Sequence, residues 1–319
     1  MTDWLNHAGP WREWRGALAS ARLHHGWIFA GKSGLGKLEF AQAAARELVD
    51  EPCIPQPEDH PDILNITYGP KDDKEERKRQ NGKPFELSKV IRVREIRDMQ
   101  QRLTTRPTLG QRRAIIIHPA DSLNVEAANA LLKSLEEPPQ GTSFILITHH
   151  LSRLLPTIRS RCRVLRFPPL SEAQLGSMLA ADGYSPDPVA LQAANGSYGA
   201  AVRFMEEDLA PIARAMDHLL TSGDPGFGAR AELSRLIGPR APRGRVQAVI
   251  DLAREITAGR AKRAESAPAR AAMIEAHSKL ITLAGQIPTH NFDPGLLTLE
   301  IGTLLVGAHA ASEPAHGAR

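Results

Sequence analysis

From about residue 24 to residue 167, short runs of β-branched and aromatic residues alternate with longer stretches whose apolar positions recur every three or four residues. Apolar runs alternating with helical spacing argue for a mostly parallel sheet covered by helices, an α/β domain. The runs WIFA (27–30), ILNITY (63–68), AIIIH (114–118), FILIT (144–148) and VLRF (164–167) end at turn or polar residues and are predicted as strands, all of them central. Between them, Leu38 to Val49 and Val90 to Leu103 have helical spacing. Ala128, Leu131, Leu132 and Leu135 fall at i, i+3, i+4 and i+7 of a third helix, which Pro138 and Pro139 stop.

Other stretches read differently. KDDKEERKRQNGK (71–83) has no apolar residue and is predicted as a solvated, mobile excursion without a site. After Pro168 and Pro169 the texture turns Ala- and Leu-rich, starting at LSEAQLGSMLAADG, where Ser171 can cap a helix and Gly183 can end it. GDPGFGAR (223–230) and GPRAPRGR (238–245) punctuate a second helical region, and ASEPAHGAR reads as a frayed tail. Three domains are therefore expected: 1–168 (α/β), 169–208 (small, helical) and 209–319 (all-helical). Trp4, Trp11 and Trp14 are expected to pack a leading helix onto the sheet.

Composition narrows the picture modestly. A chain of 319 residues is long enough for two or three cores. Lys and Arg number 40 against 36 Asp and Glu, so the surface is mildly basic, which permits a nucleic-acid or acidic partner without requiring one. Two cysteines, Cys53 and Cys162, are too few for a disulfide framework or a four-cysteine zinc module and fit a reducing cytosol. The start, MTDWLNHAGPWREW, has no basic flank before an apolar core, and nowhere do about 18 apolar residues run together, so a soluble, cytoplasmic protein with no membrane partner is expected.

The chemistry gathers at Gly31-Lys32-Ser33-Gly34-Leu35-Gly36-Lys37, which follows one strand and opens a helix. Glycines let backbone N–H groups turn toward an anion, the helix N-terminus adds positive potential, and Lys37 can reach the outer phosphates. Gly31, Gly34, Gly36 and Lys37 are thus the candidate phosphate contacts. The next position should carry a hydroxyl for Mg²⁺, but it is Leu38. At the tip of AIIIH, where a metal-holding Asp and a water-activating acid belong, stand His118 and Pro119, and a neutral imidazole is a poor ligand for Mg²⁺. Asp121 is three residues further on and is expected to start the next helix. Two losses in one pathway predict an ATPase-type scaffold without its own hydrolysis, with no bound metal and no required cofactor; ATP binding is possible but not expected.

The stretch Asn129-Ala130-Leu131-Leu132-Lys133-Ser134-Leu135-Glu136-Glu137-Pro138-Pro139, followed by Ser160-Arg161-Cys162, resembles the clamp-loader AAA+ family of bacterial DNA polymerase III over roughly residues 20–205. The resemblance implies a P-loop AAA+ domain, a small helical lid domain and an all-helical C-terminal collar domain that joins related subunits. Motor subunits of that family keep a Ser or Thr after the loop Lys, an Asp-Glu pair on the third strand, and a Gly-Ser-x-Arg sequence in the lid. Here the last reads Gly196-Ser197-Tyr198-Gly199, so all three are lost and the chain resembles a non-motor member. Such members often carry a four-cysteine zinc module, but in EPCIPQPEDHPD only Cys53 and His60 are available, so no zinc is expected.

By the same resemblance, Arg161 acts in trans on ATP bound by an adjacent motor subunit, with Ser160 and Cys162 positioning it. A planar guanidinium at a protein edge can stabilise charge on a transferring phosphoryl group. Arg159 and Arg163 are read as rim charges. The implied partners are the motor subunits (gamma/tau) and the delta subunit, with the sliding clamp and primed DNA reached through the complex. A rival reading, an active P-loop ATPase using Lys37, requires a strand-tip Asp that the sequence does not show; a third, a DNA-binding module acting alone, requires salt-dependent DNA affinity. His149 and His150 are placed in a loop rather than in a metal pair, and Thr148 matches a phosphate-sensing position that here holds backbone. Arg92, Arg94 and Arg97 are read as a solvated face in preference to a DNA-backbone contact.

Overall fold

The computed structural model describes residues 7–20, 23–51, 54, 57–286 and 293–312; Trp4, Cys53 and the tail from residue 313 lie outside them. The chain divides into two compact units between Pro169 and Leu170.

In the first unit the elements run α1 (Ala8–Ala19), β1 (Gly26–Ala30), α2 (Lys37–Val49), β2 (Ile63–Ile66), α3 (Asp73–Gln80), α4 (Val93–Leu103), β3 (Arg113–Ile117), α5 (Val125–Glu136), β4 (Thr142–Thr148), α6 (Pro156–Arg159) and β5 (Arg163–Arg166). The strands form a parallel five-stranded sheet in the order β2-β3-β4-β1-β5. Every residue of β1, β3 and β4 is buried, as continuous apolar runs covered on both faces must be. Side chains alternate across the sheet. Ile28, Ile115, Ile117, Phe144 and Leu146 face α4 and α5. Trp27, Phe29, Ile116, Ile145 and Ile147 face α2 and α1, where Trp14 meets the Trp27 ring at 5.3 Å and Trp11 meets Phe40 at 4.2 Å. Trp11 and Trp14 thus seat the leading helix as expected.

Two expectations are corrected. The strands are not all central, because β2 and β5 form the edges. Asn65 in β2 and Arg163 and Arg166 in β5 are exposed, and polar side chains reach water where no further strand closes the edge. The polar stretch 71–83 is not a structureless loop, since it contains α3. The Asp72 side chain accepts from Glu75 N at 2.9 Å, Glu75 and Glu76 pair with Lys78 at 2.6 Å and Arg79 at 2.8 Å, and acids dominate the first turn of the helix and bases the last. Capping, i,i+3 pairs and a favourable charge order against the helix dipole replace the missing apolar face.

The second unit is helical: α7 (Glu172–Ala181), α8 (Pro188–Ala194), α9 (Tyr198–Glu206), α10 (Ala210–Ser222), α11 (Gly228–Ile237), α12 (Arg243–Arg263), α13 (Ala267–Gln286) and α14 (Pro294–Ser312). Ser171 caps α7 with a reciprocal capping box to Gln174, as its position predicts. A small apolar cluster joins Leu170, Leu175, Leu179, Ala194 and Ala201; a larger one joins residues such as Met216, Leu219, Leu233, Val249, Leu280 and Leu305. Between α10 and α11, buried Asp224 accepts from Ala229 N and Arg230 N and pairs with the Arg230 guanidinium at 2.7 Å. Helix α14 is long and apolar enough to cross a membrane, yet it turns Leu297, Ile301, Leu305 and Ala308 into the larger cluster.

Candidate functional site

The phosphate loop leaves β1 at the carboxyl edge of the sheet, where open α/β sheets gather ligand-binding loops. A Cβ on Gly31 would lie 2.5 Å from the Phe167 carbonyl oxygen, so only glycine allows the loop to start there. Gly34 and Gly36 have φ of 73° and 72°, the left-handed geometry that turns successive N–H groups inward. Lys37 opens α2 and is 3% exposed. Its ammonium donates to the Gly31 carbonyl at 2.8 Å and to the Lys32 carbonyl, and approaches His149 Nδ1 at 3.2 Å. Burial lowers its pKa to about 8 despite the attraction of Asp121 and Glu39. Leu38 packs against the apolar cluster around Trp14 and Phe40, so its position contributes grease in place of a hydroxyl.

The tips of β3 and β4 supply the opposite wall. His118 follows β3, with its N–H donated to the Ile66 carbonyl at 2.9 Å, and its ring meets His149 edge-on at 5.6 Å. Burial, then the nearby Lys37 charge, lowers the pKa of His118; the same two causes in the same order hold His149 at about 4. Both imidazoles are therefore neutral at pH 7. Asp121 sits in a short 3₁₀ turn, not at the start of α5 as expected. Its carboxylate accepts from His149 N at 3.1 Å and lies 3.4 Å from His150 Nδ1. Burial alone would raise its pKa, but these hydrogen bonds hold it at about 2. This acid is turned to bracing the β4 exit. Thr148 is fully buried and accepts from His150 N at 3.2 Å, a backbone-holding role.

These residues can cradle an anion with loop N–H groups and one ammonium. For a hard divalent cation they offer a carboxylate already engaged on both oxygens and two imidazoles, a poor donor set for Mg²⁺. His60 has a local role, its Nδ1 accepting from Asp62 N at 3.1 Å.

At the amino edge of the sheet lies the other candidate group. Short helix α6 starts at Pro156 and buries Ile158, and Arg161 follows it just before β5. Arg161 Nη1 donates to the Thr157 carbonyl at 2.8 Å, and Nη2 pairs with Glu136 Oε1 at 2.6 Å, the two side chains being 35% and 48% exposed. Ser160 Oγ also donates to Thr157 O, at 3.0 Å. A Cβ on Gly26 would lie 2.9 Å from Cys162 Sγ and 3.0 Å from the Arg161 carbonyl oxygen, so this segment lies directly against the start of β1. Burial pushes the Cys162 thiol up to about 12, which makes it an inert packing group. Arg163 pairs with Glu13 at 3.0 Å, with its guanidinium 5.1 Å from the Trp27 ring, and Arg159 is exposed.

The fold thus brings Gly31, Gly34, Gly36, Lys37 and His118 together and sets Ser160, Arg161 and Cys162 apart from them. Sequence reasoning missed His149 at Lys37, and missed the Glu136 partner of Arg161. It also missed the buried brace of Asp62 and Arg113, 3.6 Å apart, in which Asp62 accepts from Thr108 N and Leu109 N. A surface cavity of about 370 Å³ opens near His25, Arg112 and Thr142 and includes no phosphate-loop residue.

The chain matches the family described as DNA polymerase III, delta subunit, over residues 7–171, just over half its length. It is 34% identical over 168 residues to the DNA polymerase III subunit delta' of Pseudomonas aeruginosa, covering 48% of this chain and 46% of that protein. It is 32% identical over 182 residues to the subunit delta' of Bacillus subtilis, covering 53% and 50%. It is also 30% identical over 169 residues to the subunit tau/gamma of Haemophilus influenzae, covering 51% and 23%. The chain spans about half the length of the delta' relatives it matches. On the family match and the agreement of those relatives, the chain belongs to the delta-prime family of DNA polymerase III subunits.

Proposed function

We propose that this protein is a non-hydrolysing stator subunit of the DNA polymerase III clamp loader, acting in the cytoplasm during DNA replication. It supplies Arg161 in trans to ATP bound by a neighbouring motor subunit of the gamma/tau type and, with the delta subunit, assists loading of the sliding clamp on primed DNA. Residues 169–208 serve as the lid and residues 209–319 as the collar that joins the subunits. No nucleotide, metal or zinc is required in its own site.

The observation that carries this reading is the wall facing Lys37. His118 and Pro119 stand at the β3 tip where acids would be needed, the neutral His149 ring approaches the Lys37 ammonium, and the nearby carboxylate of Asp121 is committed to the β4 exit. Arg161 supports the second half. Its guanidinium is fixed by a backbone carbonyl and an exposed carboxylate, so a competing γ-phosphate can take the Glu136 contact without dismantling a core. A reading as an active ATPase rests on the well-formed phosphate loop. The purified chain with Mg²⁺ and ATP distinguishes the two: no turnover above background is expected, and turnover that Lys37→Ala abolishes would overturn the stator role.

A further inference from the structure

Residues 69–90 carry seven Lys and Arg against five Asp and Glu, a net excess of only 7 − 5 = 2, so what the surface presents depends on how the fold places each charge. The fold sorts these charges. Gly69 and Ser88 pair through Ser88 N to Gly69 O at 2.7 Å, and Lys71 N donates to Glu86 O at 2.9 Å, so α3 sits at the head of a hairpin arm. The arm is clamped to the start of α4, where the Arg92 guanidinium donates to the Lys71 carbonyl and Arg94 lies 3.5 Å from Glu76.

Glu75 and Glu76 are each 6% exposed. Glu75 accepts from Glu86 N at 2.7 Å as well as from Lys78, and Glu76 accepts from Arg79 and from Gln80. A solvated loop needs no such struts. Here Glu75 and Glu76 are consumed inside, Asp72 caps α3 and Glu86 is paired with Lys71, while Lys74, Arg77 and Lys83 are exposed alongside Asp73. Beside them Phe85, Leu87 and Val90 are 37%, 54% and 41% exposed, on a segment held by backbone pairing rather than by an apolar core.

Exposed cations on a braced arm next to an exposed aromatic ring match a polyanion that also carries planar, stackable groups. We propose that the arm formed by residues 69–90 is a binding surface for single-stranded DNA, with Lys74, Arg77 and Lys83 on phosphates and Phe85 stacked on a base. It is a direct nucleic-acid contact of this subunit, separate from the phosphate loop and from Arg161. An acidic peptide satisfies the cations but leaves Phe85 without a partner.

The test uses the full chain and a fluorescent 20-nucleotide oligo-dT across a salt series. Salt-dependent binding is expected. Replacing Lys74, Arg77 and Lys83 together by Gln should weaken it about tenfold or more at low salt and make the slope of log K against log salt shallower by about 2, three phosphate contacts at roughly 0.7 each. Phe85→Ala should cost about fivefold or more. Replacing the exposed Arg240, Lys262 and Arg263 together by Gln should change affinity less than twofold, and polyglutamate of matched charge should compete less well than unlabelled oligo-dT, by about the factor that Phe85→Ala costs. Melting temperatures establish that the variants fold; a Lys83→Gln single variant, outside α3, reads the same slope change at one third the size. The proposal is overturned by no measurable oligo-dT binding, by parental affinity and slope in the arm variant, by an equal loss in the Arg240, Lys262 and Arg263 variant, or by equal competition from polyglutamate.

Discussion

Lys37 and Arg161 are both cations beside β1, at opposite ends of it, and they differ in what surrounds them. Lys37 is buried, with two carbonyls and a neutral imidazole around its ammonium and its pKa lowered to about 8. Arg161 is partly exposed and held by a carbonyl and a surface carboxylate. The first is closed into the protein's own loop. The second stands at an edge, within reach of another molecule, on a segment that Cys162 and Gly26 pack tightly. Similar charge therefore has two fates. An ammonium folded inward stabilises its loop, while a guanidinium anchored at the rim can serve a neighbour's phosphate.

The largest effect that would sharpen this contrast is at the rim. Arg161→Ala should lower ATP turnover of the reconstituted clamp loader at least tenfold while the complex still assembles on a sizing column. Arg161→Lys should recover little, because a point ammonium lacks the bidentate fork.

Next comes the closed end, probed by pH. An unfolded histidine takes up its proton near pH 6.5, whereas folded His149 does so only at about 4, with Lys37, His118, His150 and Asp121 around it. Its contribution is whole at neutral pH, is lost as pH falls from 6.5 toward 4, and levels off below. His149→Gln should flatten that part of the stability curve by an amount on the order of 1 kcal/mol, followed by urea unfolding between pH 7 and pH 4. An unchanged slope would mean that His149 is not enclosed with Lys37.

A smaller effect belongs to Glu136. Its bridge to Arg161 is exposed at both ends, so Glu136→Gln should change stability by less than about 1 kcal/mol and turnover of the assembly by no more than about twofold. A large loss would make Glu136 part of the working geometry instead of a resting contact.

Much of this was legible in the chain itself, for physical reasons that vary with the element. β1, β3 and β4 could be read because strands covered on both faces are written as unbroken apolar runs. The phosphate loop could be read because its geometry is local, glycines at fixed spacing between a strand and a helix. Helix α3 could not be found from apolar periodicity, since it has none. Its information lies in Asp72 and in acids dominating the first turn and bases the last, a charge order that only partners such as Glu86 N and Arg94 turn into burial. His149 next to Lys37 is a contact across 112 residues, made by the turn after β4 and marked by no pattern near either residue. The edge positions of β2 and β5 did leave a trace in Asn65, Arg163 and Arg166, which the strand pattern outweighed.

The contrast rests most directly on paired substitutions measured in the same reconstituted complex. ATP turnover with gamma/tau and delta present should stay within about twofold of the parent in Lys37→Ala and fall at least tenfold in Arg161→Ala, with melting temperatures confirming that both variants fold. Loss of turnover in Lys37→Ala, or parental turnover in Arg161→Ala, would contradict it.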